Sequence, residues 1–156
     1  MKNYKMTPNF SFYEMTATQH REYLARNRVL SREKLGNLYS LCASELEPIR
    51  ARFGSPVIIN SGYRCSPLNG AIGGSATSQH MSGQAADFYV VDNSIEEVFE
   101  WIWKESNLPF GQLIQEGVVE NHPTWIHISL GEPWRSYDRS RQVMVWDAIN
   151  GYERLQ

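Results

Sequence analysis

The spacing of apolar and polar positions changes period several times along the chain, and each change marks an element. The segment "TPNFSFYEMTATQHREYLARN" offers Ser11 or Asn9 as a cap before a mixed amphipathic run, which predicts a first helix. A longer helix is predicted over "SREKLGNLYSLCASELEPIRARFG". Ser31 is a good N-cap there, Leu35, Leu38, Leu41 and Leu46 keep to a helical stripe, and Gly54 supplies the stop. Pro48 inside that pattern predicts a kink or a division into two helices. In "SPVIINSGYR" the period shortens, and the β-branched run Val57, Ile58, Ile59 reads as a buried strand ending at Ser61–Gly62.

From there to about Gly83 the chain is rich in Gly, Ser, Asn and Pro, a long loop of the kind that usually carries function. "QAADFYVV" reads as a second strand, and "SIEEVFEWIWKESN" as an amphipathic helix capped by Ser94. "GQLIQEG" and "TWIHISL" predict two more strands around the loop "VVENHP", and the tail "SRQVMVWDAINGYERLQ" an edge strand or a short helix. The expected class is α+β, a small, mostly antiparallel sheet flanked by helices.

Composition narrows the function classes. The 156 residues are expected to form one domain over 1–156, and 42% hydrophobic content is globular rather than disordered. A net charge of -2 with no Lys/Arg run argues against nucleic acid as a partner, and "RNR" around Asn27 reads as a solvated helix face. Cys42 and Cys65 form neither a disulfide framework nor a CxxC pair. Cys42 is expected to pack as a small apolar residue, Cys65 to fill a loop, and both suit a reducing cytosol. "MKNYKMTPNF" lacks the apolar stretch of a signal peptide, and no run of about 18 apolar residues is present to span a membrane. The expectation is a monomer that needs another device to reach any substrate outside the cell.

The candidate chemistry sits in "SQHMSGQAADF", where His80 and Asp87 are separated by small or flexible residues. The other histidines are His20, His122 and His127, of which His20 reads as a surface or capping residue. His127 alternates with Ile126 and Ile128 in "TWIHIS", so if those isoleucines face the core it faces a cleft or solvent. Two histidines and a carboxylate are an accepted ligand set for a catalytic zinc, whose fourth position stays open for water. On spacing alone, a metal site and a polar turn both remain open.

Taken together, "INSGYRCSPLNGAIGGSATSQHMSGQAADF" followed by "WIHIS" resembles the zinc D-Ala-D-Ala carboxypeptidase-like peptidases, the M15 group, in the short form of bacteriophage lysins and prophages. The resemblance takes in "NFSFYEM", "LYSLCASELEPIRARFGSPVIINSGYR" and "GQLIQE", covering about residues 9–130 and leaving 131–156 as a C-terminal extension. It implies a hedgehog/DD-peptidase-like fold and Zn2+ held by His80, Asp87 and His127. It also implies that Arg64 grips a substrate carboxylate, as a planar guanidinium can, the plain alternative being a surface ion pair. Ser78 matches a hydroxyl suited to a hydrogen bond with substrate or with a ligand residue.

One departure stands out. Better-known members carry an acidic general base two or three positions before the third ligand, where this chain has Thr124 and Trp125. Glu116 is the expected substitute, with Glu120 as runner-up. If the two strands pair antiparallel with Glu116 opposite Trp125, Glu116 and His127 become diagonal neighbours on one face, and a slip of one residue would undo this. His122 either steadies the oxyanion or is a plain loop residue. The resemblance implies a murein DD-carboxypeptidase or endopeptidase acting on peptidoglycan stem peptides, of phage-lysin type, released by a holin or carried on a virion. Two alternatives remain: a cell-wall binding module without turnover, and a cytosolic D-Ala-D-Ala dipeptidase.

Overall fold

The computed structural model describes residues 3–117, 124–131, 141–147 and 151–156. The expected first helix is broken into α1 (Phe12–Met15), a 3-10 turn at Arg21–Tyr23, and α2 (Leu24–Asn27). Ser11 caps α1 through a full capping box with Glu14. The helix ends because its groups find partners elsewhere. Thr16 turns its hydroxyl back onto Phe12 O at 2.7 Å, and Met15 O is taken by Tyr63 N–H at 2.8 Å.

The solvated reading of "RNR" is corrected at its centre. Asn27 is fully buried. Its Nδ2 donates to Thr16 O and Tyr63 O, and its Oδ1 accepts from Cys65 N at 2.7 Å, stapling the N-terminal segment to the start of the long loop. Arg26 is exposed, as expected, and Arg28 lies over the Tyr13 ring at 3.7 Å.

The long helix runs as α3 (Arg32–Leu41), a π-helical turn at Cys42–Leu46, and α4 (Glu47–Phe53), closed by Gly54 at φ 66°. The π turn explains Pro48. Glu47 N–H donates five residues back to Cys42 O, and the widened turn accommodates a proline ring that would clash in a regular helix. The buried stripe runs through the turn without a break, over Leu38, Leu41, Cys42, Glu45, Leu46 and Ile49.

β1 (Val57–Ser61) is an edge strand with Ile58 exposed, so its β-branched run is half-buried rather than buried. α5 (Ser66–Ala71) and a 3-10 turn at Gln79–Ser82 interrupt the expected loop. Then come β2 (Ala85–Val90), α6 (Ile95–Glu100) capped by Ser94 and prolonged by a π turn, β3 (Phe110–Glu116), and β4 (Trp125–Leu130). The tail forms two strands, β5 (Gln142–Asp147) and β6 (Gly151–Arg154). The sheet order is β1-β2-β4-β3-β5-β6, antiparallel except for β3 with β5, which makes the fold α+β.

One face of the sheet packs on the helices: Ala86, Phe88, Leu113, Ile126, Ile128 and Val143 join Phe12, Met15, Leu38, Leu41 and Ile49 in a single core. Alternate residues, Asp87, His127, Ile114, Glu116 and Met144, project into a cleft on the other face. Two bulges border that cleft, one between Ile59 and Ser61 and one between Phe110 and Leu113. In the second, Gln112 N–H donates to Ser129 Oγ at 3.0 Å. Both cysteines are buried and free, and burial, with Glu14 and Glu47 nearby, pushes the Cys42 thiol up to about 12, as befits a core filler.

Glu45, in the π turn, is fully buried, and neither carboxyl oxygen has a hydrogen-bond partner among the described residues. Burial, opposed by Arg141, pushes its carboxyl up to about 8. The folded chain therefore keeps a proton that the unfolded chain, at an ordinary 4.5, releases. That contribution is fully present below the unfolded value and is lost as pH rises through the folded one. Glu45→Gln should thus gain stability relative to wild type, by a few kcal/mol, between about pH 5 and pH 8. Urea unfolding at both ends of that range tests it, and a constant difference would contradict the protonated state. Asn27→Ala should cost roughly 3 kcal/mol in the same assay, since it leaves one buried N–H and two carbonyls without their partner.

Candidate metal centre

The cleft is built on three anchors. His80 stands in the 3-10 turn, buried, with its Nδ1 2.7 Å from Gly62 O. A carbonyl can only accept, so Nδ1 carries the hydrogen and Nε2 presents its lone pair. The return bond, Arg64 N–H to His80 O at 3.1 Å, ties turn and strand end together. Gly62 tolerates no side chain, because a Cβ would overlap the Met15 carbonyl. The turn is also seated on α3, where Asn37 Nδ2 donates to Ser82 O at 2.9 Å. Beside that bond, Gly83 at φ +73° lies against Lys34 O, where a Cβ would have little room.

Asp87 and His127 come from β2 and β4, whose antiparallel register sets them directly opposite each other. His127 Nδ1 lies 2.8 Å, and His80 Nε2 3.2 Å, from the same oxygen, Asp87 Oδ1. The three ligand atoms lie within 4.8 Å of one another, and all three residues are buried. The other carboxylate oxygen, Oδ2, accepts from Arg64 Nη2, whose Nε donates to Ser61 Oγ at 2.8 Å.

Burial works against charge on Asp87, but the two imidazoles beside it, His80 and His127, outweigh this and hold the carboxyl below its usual range. For His80, burial prevails over the pull of the Asp87 carboxylate and lowers the imidazolium's stability, so the ring is neutral. With Nδ1–H committed to Gly62, a lone pair on Nε2 faces an ionised oxygen at 3.2 Å. Two electron-pair donors aimed at one point, buried and without a proton between them, fit a divalent cation. A His2Asp set leaves further coordination positions facing the cleft.

The cleft has a volume of about 700 Å³, and Arg64, Ser78, His80, Asp87, Glu116 and His127 all line it. Glu116 pairs with Trp125 and Ile114 with His127, the register required to put Glu116 and His127 on one face. The Glu116 carboxylate accepts Trp125 Nε1–H at 3.2 Å on one oxygen and the Tyr152 hydroxyl at 2.7 Å on the other. Ser78 precedes the His80 turn without its side chain capping it. Arg64 does not stand free in the cleft, since two of its N–H groups serve Asp87 and Ser61. His20 is an exposed surface residue, 3.7 Å from Glu22. His122 and Glu120 lie outside the described residues.

Three contributors escape the sequence reading. Gly62 belongs to the quoted "SGYR", but its role as the acceptor that orients His80 depends on a contact across 18 residues. Asn27 carries no pattern that distinguishes it from a surface asparagine. Tyr152 reaches Glu116 only because β5 pairs with β3 in parallel and carries β6 alongside.

Residues 8–129 match the family model described as Peptidase M15, and no curated protein matches the chain. The matched span holds the His–Asp–His cluster, Arg64 and Glu116, and it ends before β5 and β6. Within it, Gly62→Ala should displace the acceptor that aims His80. Metal affinity should fall about 10–100-fold, the usual effect of losing a ligand's outer hydrogen bond. Competition against a chromogenic chelator measures this, and unchanged affinity would mean that Gly62 O does not set the ring.

Proposed function

The chain belongs to the Peptidase M15 family, and from that premise we propose that it is a zinc-dependent murein peptidase that hydrolyses amide bonds in peptidoglycan stem peptides. The observation that carries this reading is the buried His80–Asp87–His127 cluster with a carboxylate, Glu116, on the same face of the same cleft. Ser75, Thr77, Ser78, Gln112 and Gln142 line the cleft with hydroxyls and amides, which suits a peptide backbone more than an apolar ligand.

His80, Asp87 and His127 would hold the zinc, which would supply a Lewis acid and lower the pKa of a bound water to about 7. Glu116 takes the proton of the attacking water and passes it to the leaving amine. Its donors, Trp125 and Tyr152, occupy two of the roughly four lone-pair sites of a carboxylate, leaving capacity for that proton. Arg64 keeps Asp87 ionised and in place, and offers its remaining N–H groups to a substrate carboxylate. Ser78 donates to the bound peptide.

The motif resemblance to short phage lysins supports a role as an endolysin or virion-borne enzyme brought to the wall by a holin or an injection device. No helix among the described residues is long and apolar enough to cross a membrane.

The test is release of new amino termini from purified sacculi, with metal content measured in parallel. Wild type should carry close to one zinc per chain and release amines. His80→Ala should lose both, and Glu116→Gln should keep zinc while losing at least about 10²-fold in rate, the scale of a general base. Full activity in Glu116→Gln would overturn the base assignment. Binding to sacculi without new amines would mean a wall-binding module, and cleavage of soluble D-Ala-D-Ala alone would mean a dipeptidase.

A further inference from the structure

Glu116 stands at the end of β3 with one donor on each carboxylate oxygen, and the two donors come from opposite sides. Trp125 is its partner across the hairpin. Tyr152 is two strands away on the other side, with β5 lying between β3 and β6. The registers explain the reach. Gln115 is level with Val145, the next residue Trp146 pairs with Tyr152, and alternation brings Tyr152 onto the cleft face level with Glu116. Tyr152 lines the cleft itself, although its ring is more than half exposed.

We propose that Tyr152 is a positioning residue for Glu116: its hydroxyl and the Trp125 indole form a two-point clamp that holds the carboxylate in the geometry needed for proton transfer. The inference rests on the reading of Glu116 as general base. It goes beyond the family match, because the clamp's second jaw comes from a strand outside the matched residues.

Physical chemistry favours a clamp over an incidental contact. A glutamate side chain has three rotatable bonds, and one hydrogen bond leaves the carboxylate free to swing about it. A second bond from the opposite side removes that freedom, and a misplacement of about 1 Å can cost about 10²-fold in rate. The phenol is also a secure donor. Burial, then its hydrogen bond to Glu116 and the charges of Glu116 and Asp87, push its ionisation up to about 12, so it keeps its proton throughout the working range. A hydroxyl held protonated remains a donor to the Glu116 carboxylate, which is what a clamp requires.

The test is a double-mutant cycle on the zinc-loaded, full-length chain, using Tyr152→Phe, Glu116→Gln and the pair, with amine release from sacculi fragments as the assay. Tyr152→Phe keeps the ring and removes only the hydroxyl. It should lower kcat about 10-fold or more with KM within about twofold, at wild-type zinc content and melting temperature. In the Glu116→Gln background it should have no further effect on kcat. A full-rate Tyr152→Phe, or an equal loss in both backgrounds, would overturn the clamp while leaving Glu116 as base. Full activity in Glu116→Gln would instead overturn the reading beneath it. As a readout independent of turnover, the Trp125 indole N–H resonance should move in Tyr152→Phe as the shared carboxylate shifts, and an unmoved resonance counts against the clamp.

Discussion

An ionised carboxylate buried on an interior strand of the sheet is the constraint around which this molecule is arranged. Asp87 holds its charge in a place where burial alone would extinguish it. Every element near it contributes to that end. β4 sets His127 against one oxygen, the turn after the long loop sets His80 beside the same oxygen, and Arg64 meets the other. Those three partners are in turn braced from behind: His80 by Gly62, Gly62 by its fit against Met15, and the segment leading out of β1 by Asn27. The N-terminal pieces, which look peripheral, are thus the footing of the cleft. They also explain why α1 is short, since the carbonyl that would continue it is spent on Tyr63.

The polar side of the sheet stays functional because its apolar side needs nothing from it. Strand alternation sends Phe88, Leu113, Ile126 and Ile128 into one core with the helices, leaving the intervening positions to chemistry. The two bulges fall at the borders of the cleft, where they change the direction of the strand without exposing the core. At the second, the displaced Gln112 amide is satisfied by Ser129 Oγ rather than left orphaned. The buried Glu45 is the contrasting case, a carboxyl with no hydrogen-bond partner among the described residues, favoured in its neutral form by burial.

The parts legible in the sequence were those governed by period and by short-range chemistry. Ser11, Ser31 and Ser94 cap where their positions predict, Gly54 closes α4, and the hairpin takes the register that sets Glu116 opposite Trp125. The three ligand-type residues meet because alternation in β2 and β4 fixes which way Asp87 and His127 point. What escaped was decided by distant backbone groups. Asn27 reads as solvated until Thr16 O, Tyr63 O and Cys65 N converge on it, and the first helix reads as continuous until Tyr63 claims Met15 O. The π turn was visible only as a proline in an awkward place. The tail was legible only as an edge strand or a short helix; β6 is an edge strand, but the parallel pairing of β5 with β3 leaves no local signature.

That pairing makes the boundary of the family match differ from the boundary of the folding unit. β3 is an interior strand only because β5 covers it, and Val143 of β5 is part of the common core. A chain cut just past β4 would keep all three metal-ligand candidates and Glu116, yet it would uncover a hydrogen-bonding edge along "FGQLIQE". An uncovered edge of that kind is a template for pairing with another chain. The segment beyond the family match therefore doubles as a guard against self-association, and a minimal version of this domain cannot be drawn from the matched residues alone.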